Sequence, residues 1–510
     1  MKKMFKLNSM FTDNMVLQRE SKVPIWGTAI DGEKVQVEFC SQKQETICVN
    51  GKWNIILDVL NAGGPFDMKV ICGSYEMVLK NILIGDVFIA AGQSNMEYKL
   101  KDSMYGKEEI EHSYSENIRY YSVPQIEYED ENKRIPNFEE GKWETCSPES
   151  SENFSAVAHY FAKNLYKYVN VPIGIISCNK GGTSASCWID ERYLLRDESI
   201  KKAYLDDYLD AVKDMTEEEE DKRNSEYLKV VQKYNCKLEK YKKDNPHKSM
   251  SEVKKAVGHT PWPPPFGKKS YLRPSGLYST MFRKVVPYKV KAVLWYQGEE
   301  DTQNCTLYKK LFNCLIENWR EDFKNPKLKF VFVQLPYYYD DKEEKPKNSW
   351  AILRDNQLSV MRNTENTDMI VTIDCGEKFN IHPVNKKPIG ERLALMVRNR
   401  IYKENINGYS PIYKSMEIEA GRIIIYFDFT RDDSLVIKGG DELKGFEISG
   451  EDNKFVYAKA YIDGGNKVIV YNKNIKNPKK VRYGWKNYDE VNLYNKSGLP
   501  ASPFRTDFKY

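Results

Sequence analysis

The chain has 510 residues, enough to bury a large core and to form roughly two or three domains. Aromatic residues make up 13% of it and hydrophobic residues 41%, which is typical of a folded globular protein and excludes a disordered one. The net charge of +5 comes from 78 basic and 73 acidic residues that are interleaved along the chain. We therefore expect neither a nucleic acid nor a membrane as a partner.

The start of the chain and its cysteines bear on the cellular compartment. Residues 1–8 are basic but contain no apolar stretch, and no window reaches the ~18 apolar residues of a membrane span. We therefore expect a cytoplasmic protein, unless a leader peptide was removed. The ten cysteines include no Cys-x-x-Cys pair, which favours reduced, mostly buried thiols and argues against a zinc site.

Residues 1–82 have the pattern of a small all-β domain. Short runs alternate between apolar and polar residues, as in Val35–Phe39, and turn signals such as Asn50–Gly51 separate them. This pattern predicts a sandwich of short strands.

Residues 83–403 change to alternating strands and helices. Five apolar runs predict buried parallel strands, at 82–91, 172–178, 290–297, 329–335 and 368–374. Helical periodicity occurs between them at 156–168 and 311–319, and after them at 384–403. This order predicts an α/β domain with a three-layer parallel sheet and a site at the carboxyl ends of its strands.

A charged insertion at 198–266 interrupts this domain. Its first part, to about residue 245, predicts two long amphipathic helices, the second capped by Thr216 with Glu219 three residues later. A proline-rich segment, Pro261–Phe266, then returns in an extended conformation. Two interpretations stay open: a solvated helical arm, or a wall or oligomer contact beside the cleft.

Residues 404–510 return to short alternating strands. Arg422–Phe427 and Lys467–Tyr471 are examples, and they predict a second β domain at the C-terminal end.

Ser94 is the candidate nucleophile. It follows the apolar run 82–91 in the segment Gly92–Met96, where a strand would turn into a helix and expose a hydroxyl at the edge of the sheet. Amides at the start of that helix could bind an oxyanion. The segment is not the Gly-x-Ser-x-Gly elbow of the α/β-hydrolases, so we expect a different hydrolase architecture.

His382 is the candidate base. The other four histidines lie within an amphipathic helix, in polar stretches or near the insertion: His112, His159, His247 and His259. His382 alone follows a predicted buried strand and a short loop, at the same edge of the sheet as Ser94. A third group could hold the imidazole in the correct tautomer. Asn380 is the nearest candidate, and Asp374 and Glu377 are acidic alternatives.

Two further loops follow predicted strands. Ser177–Ser184 is glycine-rich and could present backbone amides, but it matches neither a phosphate-binding nor a dinucleotide-binding motif. Gln297 ends another strand and could donate to an oxyanion. The acidic residues 299–301 leave a glycosidase as an alternative, because glycosidases use a pair of carboxylates. The convergence of a nucleophile, a base and amide donors at one edge favours a hydrolase with a serine nucleophile.

Several short blocks occur in a fixed order along the chain. They are 11–19 and 23–27 near the start, then Gly92–Met96, Phe154–Ala158, Gly181–Thr183, Trp295–Glu299 and Ile381–Pro383, with 492–495 and 498–505 near the end. In these blocks the chain resembles the sialate O-acetylesterases of the SGNH (GDSL-like) hydrolase superfamily over nearly its whole length. The resemblance implies an α/β fold with a three-layer, parallel-sheet, flavodoxin-like hydrolase core between the two β regions.

The resemblance also implies the hydrolysis of O-acetyl groups on sugars without a metal or another cofactor. Ser94 would be the nucleophile and His382 the base, with an oxyanion hole formed by the amides of Ser94 and Gly182 and by Gln297. Many relatives have an acid two residues before the histidine, where this chain has Asn380. We therefore expect a Ser–His pair supported by Asn380 or by an acid from elsewhere.

The expected partner is a small O-acetylated sugar, and a homo-oligomer is left open. Gln93, Glu299 and Arg354 are the candidate substrate contacts, and Arg354 or Arg273 could pair with the carboxylate of a sialic acid. Two alternatives remain: an esterase for acetylated xylo- or manno-oligosaccharides, and a non-catalytic carbohydrate-binding protein.

Overall fold

The computed structural model describes residues 5–129, 140–339, 347–430 and 434–507. Its N-terminal part consists of strands, as predicted: β1 Lys6–Leu7, β2 Val16–Gln18, β3 Val23–Thr28, β4 Lys34–Phe39, β5 Gln42–Ile47, β6 Trp53–Leu57, β7 Gly63–Cys72 and β8 Tyr75–Gly92. Strands β1, β3 and β6 form a small antiparallel sheet. Strand β4 pairs with β5 and β7, and β7 pairs with β8. The predicted boundary between residues 82 and 83 falls within β8, so one strand continues from the N-terminal region into the centre of the molecule.

A large sheet forms the centre of the molecule. Its other strands are β9 Ser115–Ser122, β10 Trp143–Cys146, β11 Ile173–Asn179, β12 Ala292–Tyr296, β13 Lys329–Val333 and β14 Thr367–Ile370. The order across the sheet is β10-β9-β11-β8-β12-β13-β14. Every neighbouring pair in this order is parallel except β9 with β10. The carboxyl ends of β8, β11, β12 and β14 therefore open on one edge.

The five apolar runs of the sequence correspond to β8, β11, β12, β13 and β14. Strand β9 was not predicted, because Ser115–Ser122 begins with polar residues and only its second half is buried. The mixed α/β organisation and the β-rich ends agree with the predicted fold class.

Thirteen α-helices lie in the described ranges. They are α1 Ser94–Glu97, α2 Gly106–Glu111, α3 Pro148–Glu152, α4 Ala156–Val169, α5 Glu191–Leu194, α6 Glu198–Ile200, α7 Asp207–Val212, α8 Glu217–Asp244, α9 Met250–Val257, α10 Arg283–Val285, α11 Tyr308–Asp322, α12 Ser349–Asn363 and α13 Lys387–Arg400. Helix α13 packs on α4, and α11 packs on α12. None of these helices is long and apolar enough to cross a membrane.

The insertion is helical, with one more helix than predicted. Helices α6 and α7 join through the π-helical turn Lys201–Asp206, and the long α8 follows. The predicted cap is present, because the Thr216 hydroxyl accepts from the Glu219 amide and the Glu219 carboxylate accepts from the Thr216 amide. Helix α9 was not predicted. Ser249 and Glu252 form a second capping box at its start.

The C-terminal part is again made of strands. They are β15 Ile412–Glu419, β16 Arg422–Asp428, β17 Leu435–Ile437, β18 Phe446–Ser449, β19 Val456–Tyr457, β20 Lys459–Ile462, β21 Lys467–Tyr471, β22 Lys480–Tyr483, β23 Leu493–Asn495 and β24 Phe504–Arg505. Apolar side chains such as Ile423, Ile448 and Phe504 form a core of their own here. The ten cysteines are all free thiols, and six of them are buried.

A buried carboxylate joins the N-terminal strands to the central sheet. Asp86 lies in β8 with a fully buried side chain, and its oxygens lie 2.9 Å from an Arg19 nitrogen and 3.2 Å from Lys291 Nζ. The Tyr402 hydroxyl donates to it at 2.6 Å. Burial alone would raise the pKa of Asp86, but Arg19, Lys291 and Tyr402 outweigh it and hold the pKa below its ordinary value.

We expect Asp86→Ala to lower the free energy of unfolding by about 3 kcal/mol, because it leaves Arg19 and Lys291 without their shared carboxylate. The urea midpoint followed by tryptophan fluorescence measures this. Asp58→Ala is the matched control, since Asp58 pairs with Lys22 and both side chains are well exposed. An exposed pair contributes about 1 kcal/mol or less. Equal midpoints for the two variants would contradict the prediction.

Candidate active site

Ser94 lies where β8 passes close to β12. Gly92 ends β8 with a φ of 141°, and a Cβ at this position would collide with the carbonyl oxygen of Tyr296 in β12. Glycine is therefore required there. Gln93 precedes helix α1, and Ser94 is the first residue of that helix. The sequence thus places the hydroxyl at the carboxyl end of the central strand, as predicted.

His382 meets Ser94 across this edge. The Nε2 atom of His382 lies 2.7 Å from the Oγ atom of Ser94, although the two residues are 288 positions apart in the chain. His382 belongs to the loop between β14 and α13. A serine that donates to Nε2 requires the ring proton on Nδ1, and the ring can then take the serine proton. The structure brings together the two residues that the sequence singled out.

The electrostatic surroundings keep the His382 ring neutral. Burial, followed by the positive charges of Lys386 and Lys254, lowers the pKa of His382 to about 3. Each of these effects disfavours the imidazolium form. The imidazole is therefore available to accept a proton at neutral pH, and it is a weaker base than one backed by a carboxylate.

Asn380 holds the backbone of His382 rather than its ring. Its Oδ1 accepts from the His382 amide at 3.2 Å, and its Nδ2 donates to the His382 carbonyl at 2.7 Å and to Glu377 at 3.1 Å. Glu377 also accepts from the Val384 amide at 2.8 Å. The expectation that Asn380 accepts from the imidazole is corrected, because in the described residues its amide bonds to the loop backbone and to Glu377 and not to the ring.

The glycine-rich loop after β11 lies beside the nucleophile. A Cβ on Gly181 would be 3.4 Å from the Cβ of Ser94. The Gly181 amide donates to Glu97 at 2.6 Å, and Gly182 has a φ of 72°. Within the described ranges, the amides of Ser94 and Gly182 have no protein acceptor. These two amides therefore remain candidates for the predicted oxyanion hole.

Gln297 is not placed as the predicted oxyanion donor. It is fully buried, and its Nε2 donates to the Thr183 carbonyl at 3.1 Å and to Asp301 at 2.7 Å. Asp301 also accepts from Ser184 and from the Ala185 amide. Gln297 and Asp301 thus fasten the end of β12 to the glycine-rich loop. Both N–H groups of the amide are occupied, so Gln297 positions the loop instead of facing substrate.

Gln93 and Glu299, two candidate substrate contacts, are each 3% exposed. Gln93 Oε1 accepts from the amides of Gly298 and Glu300, both at 3.3 Å. Glu299 accepts from the Nδ2 atom of Asn95 at 2.5 Å. Both side chains point into the protein and support the turn at Ser94, which corrects their predicted role.

A buried polar cluster behind Ser94 was missed by the sequence reasoning. Asn95 Nδ2 donates to Glu299 and to the Ile381 carbonyl, and Asn95 Oδ1 accepts from the ammonium of the fully buried Lys386. Burial lowers the pKa of Lys386 to about 7, although Glu299 opposes this shift. The signals were a polar residue directly after Ser94 and a lysine four positions after His382.

The predicted arginines are engaged elsewhere. Arg354 is 1% exposed, and its guanidinium donates to the carbonyls of Pro336 and Lys486. Arg273 donates to the carbonyls of Glu127 and Ser270 at 2.6 and 2.8 Å. Arg354 thus fastens α12 to the C-terminal strands, and its burial corrects its predicted role as a substrate contact.

The return segment of the insertion forms a wall of the site. The indole ring of Trp262 lies over Gly182, where it would collide with any added Cβ. Its Nε1 donates to Glu300 at 2.9 Å. Of the two interpretations of the insertion, a wall beside the cleft therefore applies to this segment. No group of three or more His, Cys, Asp or Glu residues in the described ranges is arranged to hold a metal ion.

Comparisons with known proteins point to one family. The model of the family "Carbohydrate esterase, sialic acid-specific acetylesterase" matches residues 238–398, which include Gln297 and His382. The sialate O-acetylesterase of Mus musculus is 27% identical to this chain, over 98% of the chain and 94% of that protein. The Homo sapiens sialate O-acetylesterase is 25% identical, over 98% and 92% respectively.

A solved structure agrees with this result. The crystal structure of a carbohydrate acetylesterase from Xanthomonas citri matches with a TM-score of 0.79 and 28% identity, covering 99% of this chain and 100% of that one. In sequence and in fold, the chain is therefore similar to the carbohydrate esterases of the sialic acid-specific acetylesterase family.

Proposed function

We propose that this protein is a serine esterase that removes O-acetyl groups from sialic acid. The observation that carries the proposal is the 2.7 Å contact between Ser94 Oγ and His382 Nε2 at the carboxyl edge of the sheet. The names of its near-full-length relatives supply the substrate class. The family resemblance and the parallel strand pairs favour an SGNH-type, flavodoxin-like core, and a cytoplasmic location remains part of the proposal.

The proposed reaction proceeds in two steps. Ser94 Oγ attacks the acetyl carbonyl while His382 Nε2 takes the hydroxyl proton. The amides of Ser94 and Gly182 bind the oxyanion of the tetrahedral intermediate. His382 then gives the proton to the departing sugar oxygen, which leaves as a hydroxyl. The acetyl group stays on Ser94. Water attacks this ester with His382 as base, and acetate and free Ser94 result.

The side chains around this pair would act by position. Asn380 and Glu377 hold the His382 loop, and Gln297 with Asp301 holds the glycine-rich loop. A displacement of ~1 Å can cost about a hundredfold in rate. In this proposal the held loop orients His382, as the third residue of a catalytic triad would. No group replaces the negative charge of that third residue.

We expect Ser94→Ala to lower kcat for acetate release by about a thousandfold or more, because no other group replaces the attacking oxygen. Acetate release from O-acetylated sialic acid measures the loss, and circular dichroism checks the fold. Ser122→Ala is the matched control, since Ser122 ends β9 in the same sheet without a catalytic assignment. Wild-type activity in Ser94→Ala would exclude this nucleophile. Acetylated xylo- and manno-oligosaccharides in the same assay test the alternative substrates.

We expect kcat/KM to stay nearly constant between pH 6.5 and pH 5. The lowered pKa of His382 keeps its ring neutral over this interval, whereas a histidine with the ordinary pKa of about 6.5 would lose most of its basic form. Initial rates in buffers of constant ionic strength measure the profile, with circular dichroism at pH 5 as the control for folding. An acid limb with its midpoint between pH 6 and 7 would contradict the environment described for His382.

We expect both Asn380→Asp and Asn380→Ala to lower kcat by about tenfold to a hundredfold, by loosening the His382 loop. The aspartate would not restore a triad, because its carboxylate would face Glu377 and the His382 carbonyl. Comparing kcat and the pH profile of both variants tests this. A gain in activity for Asn380→Asp, with an acid limb shifted to higher pH, would show that residue 380 faces the ring.

A further inference from the structure

The helical insertion connects the two loops that meet at the active site. At one end, the Ser251 hydroxyl at the start of α9 accepts from the amide of Phe379, in the His382 loop, at 3.1 Å. At the other end, Trp262 covers Gly182 and donates to Glu300. The segment 251–262 therefore contacts both sides of the cleft in which Ser94 and His382 lie.

Lys254 lies in this segment and carries a charge that no carboxylate neutralises. Its Nζ donates to the Tyr234 hydroxyl at 2.8 Å and to the Thr260 hydroxyl at 3.2 Å, and both acceptors are neutral. In the part of the chain that the structure describes, its ammonium has no acidic partner. Since an ammonium has three donors, one of them is left for a ligand.

The charge of Lys254 reaches the reacting groups. Lys254 follows Ser251 by one turn of α9, and Ser251 contacts the His382 loop. Consistent with this position, burial lowers the pKa of His382 and the charges of Lys386 and Lys254 lower it further. Lys255, the next residue, lies 5.3 Å from the centre of the Phe379 ring but contributes no such effect. Lys254 therefore differs from its exposed neighbour in its relation to the site.

Four other cations around the site are already engaged. Lys386 is fully buried and bonded to Asn95, and Lys180 pairs with Glu127 at 2.6 Å. Arg273 donates to two backbone carbonyls, and Arg354 is buried. Lys254, by contrast, retains a donor that could meet an anionic group beside the reacting ester.

We propose that Lys254 binds the carboxylate of the sugar and thereby selects acetylated sialic acids over neutral acetylated sugars. This inference rests on the proposed function, because it names the substrate contact of the same site. A carboxylate would accept from the free donor of the ammonium in a charge-assisted hydrogen bond. The contact comes from the insertion, and so links this segment to substrate selection.

The test compares an O-acetylated sialic acid with its carboxylate methyl ester, which differs in charge at one group. We expect Lys254→Gln to lower the ratio of kcat/KM for the acid to kcat/KM for the ester by about tenfold. Lys254→Arg keeps the charge and should retain most of the ratio. Lys240→Gln is the matched control, because it removes the same charge from an exposed position on the neighbouring helix α8. Its ratio should equal that of the wild type.

An unchanged ratio in Lys254→Gln would overturn the inference, and so would an equal loss for both substrates, which indicates a structural role. Binding of de-acetylated sialic acid to Ser94→Ala protein, with and without Lys254→Gln, separates this result from the proposed function. If the wild type releases acetate from neither substrate, the sialate esterase proposal fails. Weaker binding in Lys254→Gln then still supports the carboxylate contact, and equal or absent binding overturns it.

Discussion

The close packing of β8 against β12 at Gly92 is the constraint on which the site depends. A side chain at Gly92 would collide with the Tyr296 carbonyl, so the two strands can approach only with glycine there. The turn that follows starts helix α1 at Ser94. Because the sheet is parallel at this point, the loops after β11, β12 and β14 open on the same edge. One backbone contact thereby fixes where the hydroxyl meets the other loops.

Around this point, buried polar side chains hold the loops in place through hydrogen bonds. Asp301 accepts from Gln297, Ser184 and the Ala185 amide, and so joins two of the loops. Asn95 joins the third, because it donates to the Ile381 carbonyl next to His382. A buried network of hydrogen bonds resists distortion, because breaking one bond leaves a buried donor or acceptor without a partner. The rigidity of the site therefore comes from residues that do not face the cleft.

The sequence predicted the strands and the contact between Ser94 and His382 well, and the roles of the surrounding residues poorly. Apolar runs such as 290–297 identify buried strands from local composition, and the strand order of a parallel sheet then brings Ser94 and His382 to one edge. A side chain's direction depends on contacts far along the chain, which local patterns do not contain. Gln297 ends a strand as predicted, yet its amide faces Thr183 and Asp301. Arg354 is buried and donates to the carbonyl of Lys486, which follows it by 132 residues.

The cations around His382 would have opposite effects on the two charges that form in the proposed reaction. Lys386 and Lys254 disfavour an imidazolium at His382, which a carboxylate behind the ring would otherwise stabilise. The same charges favour an oxyanion on the substrate, which the amides of Ser94 and Gly182 also bind. A substrate carboxylate placed on Lys254 would offset part of that cation's effect on the ring. The base would then become stronger when an anionic sugar is bound, so the charge missing at position 380 would be supplied in part by the substrate itself.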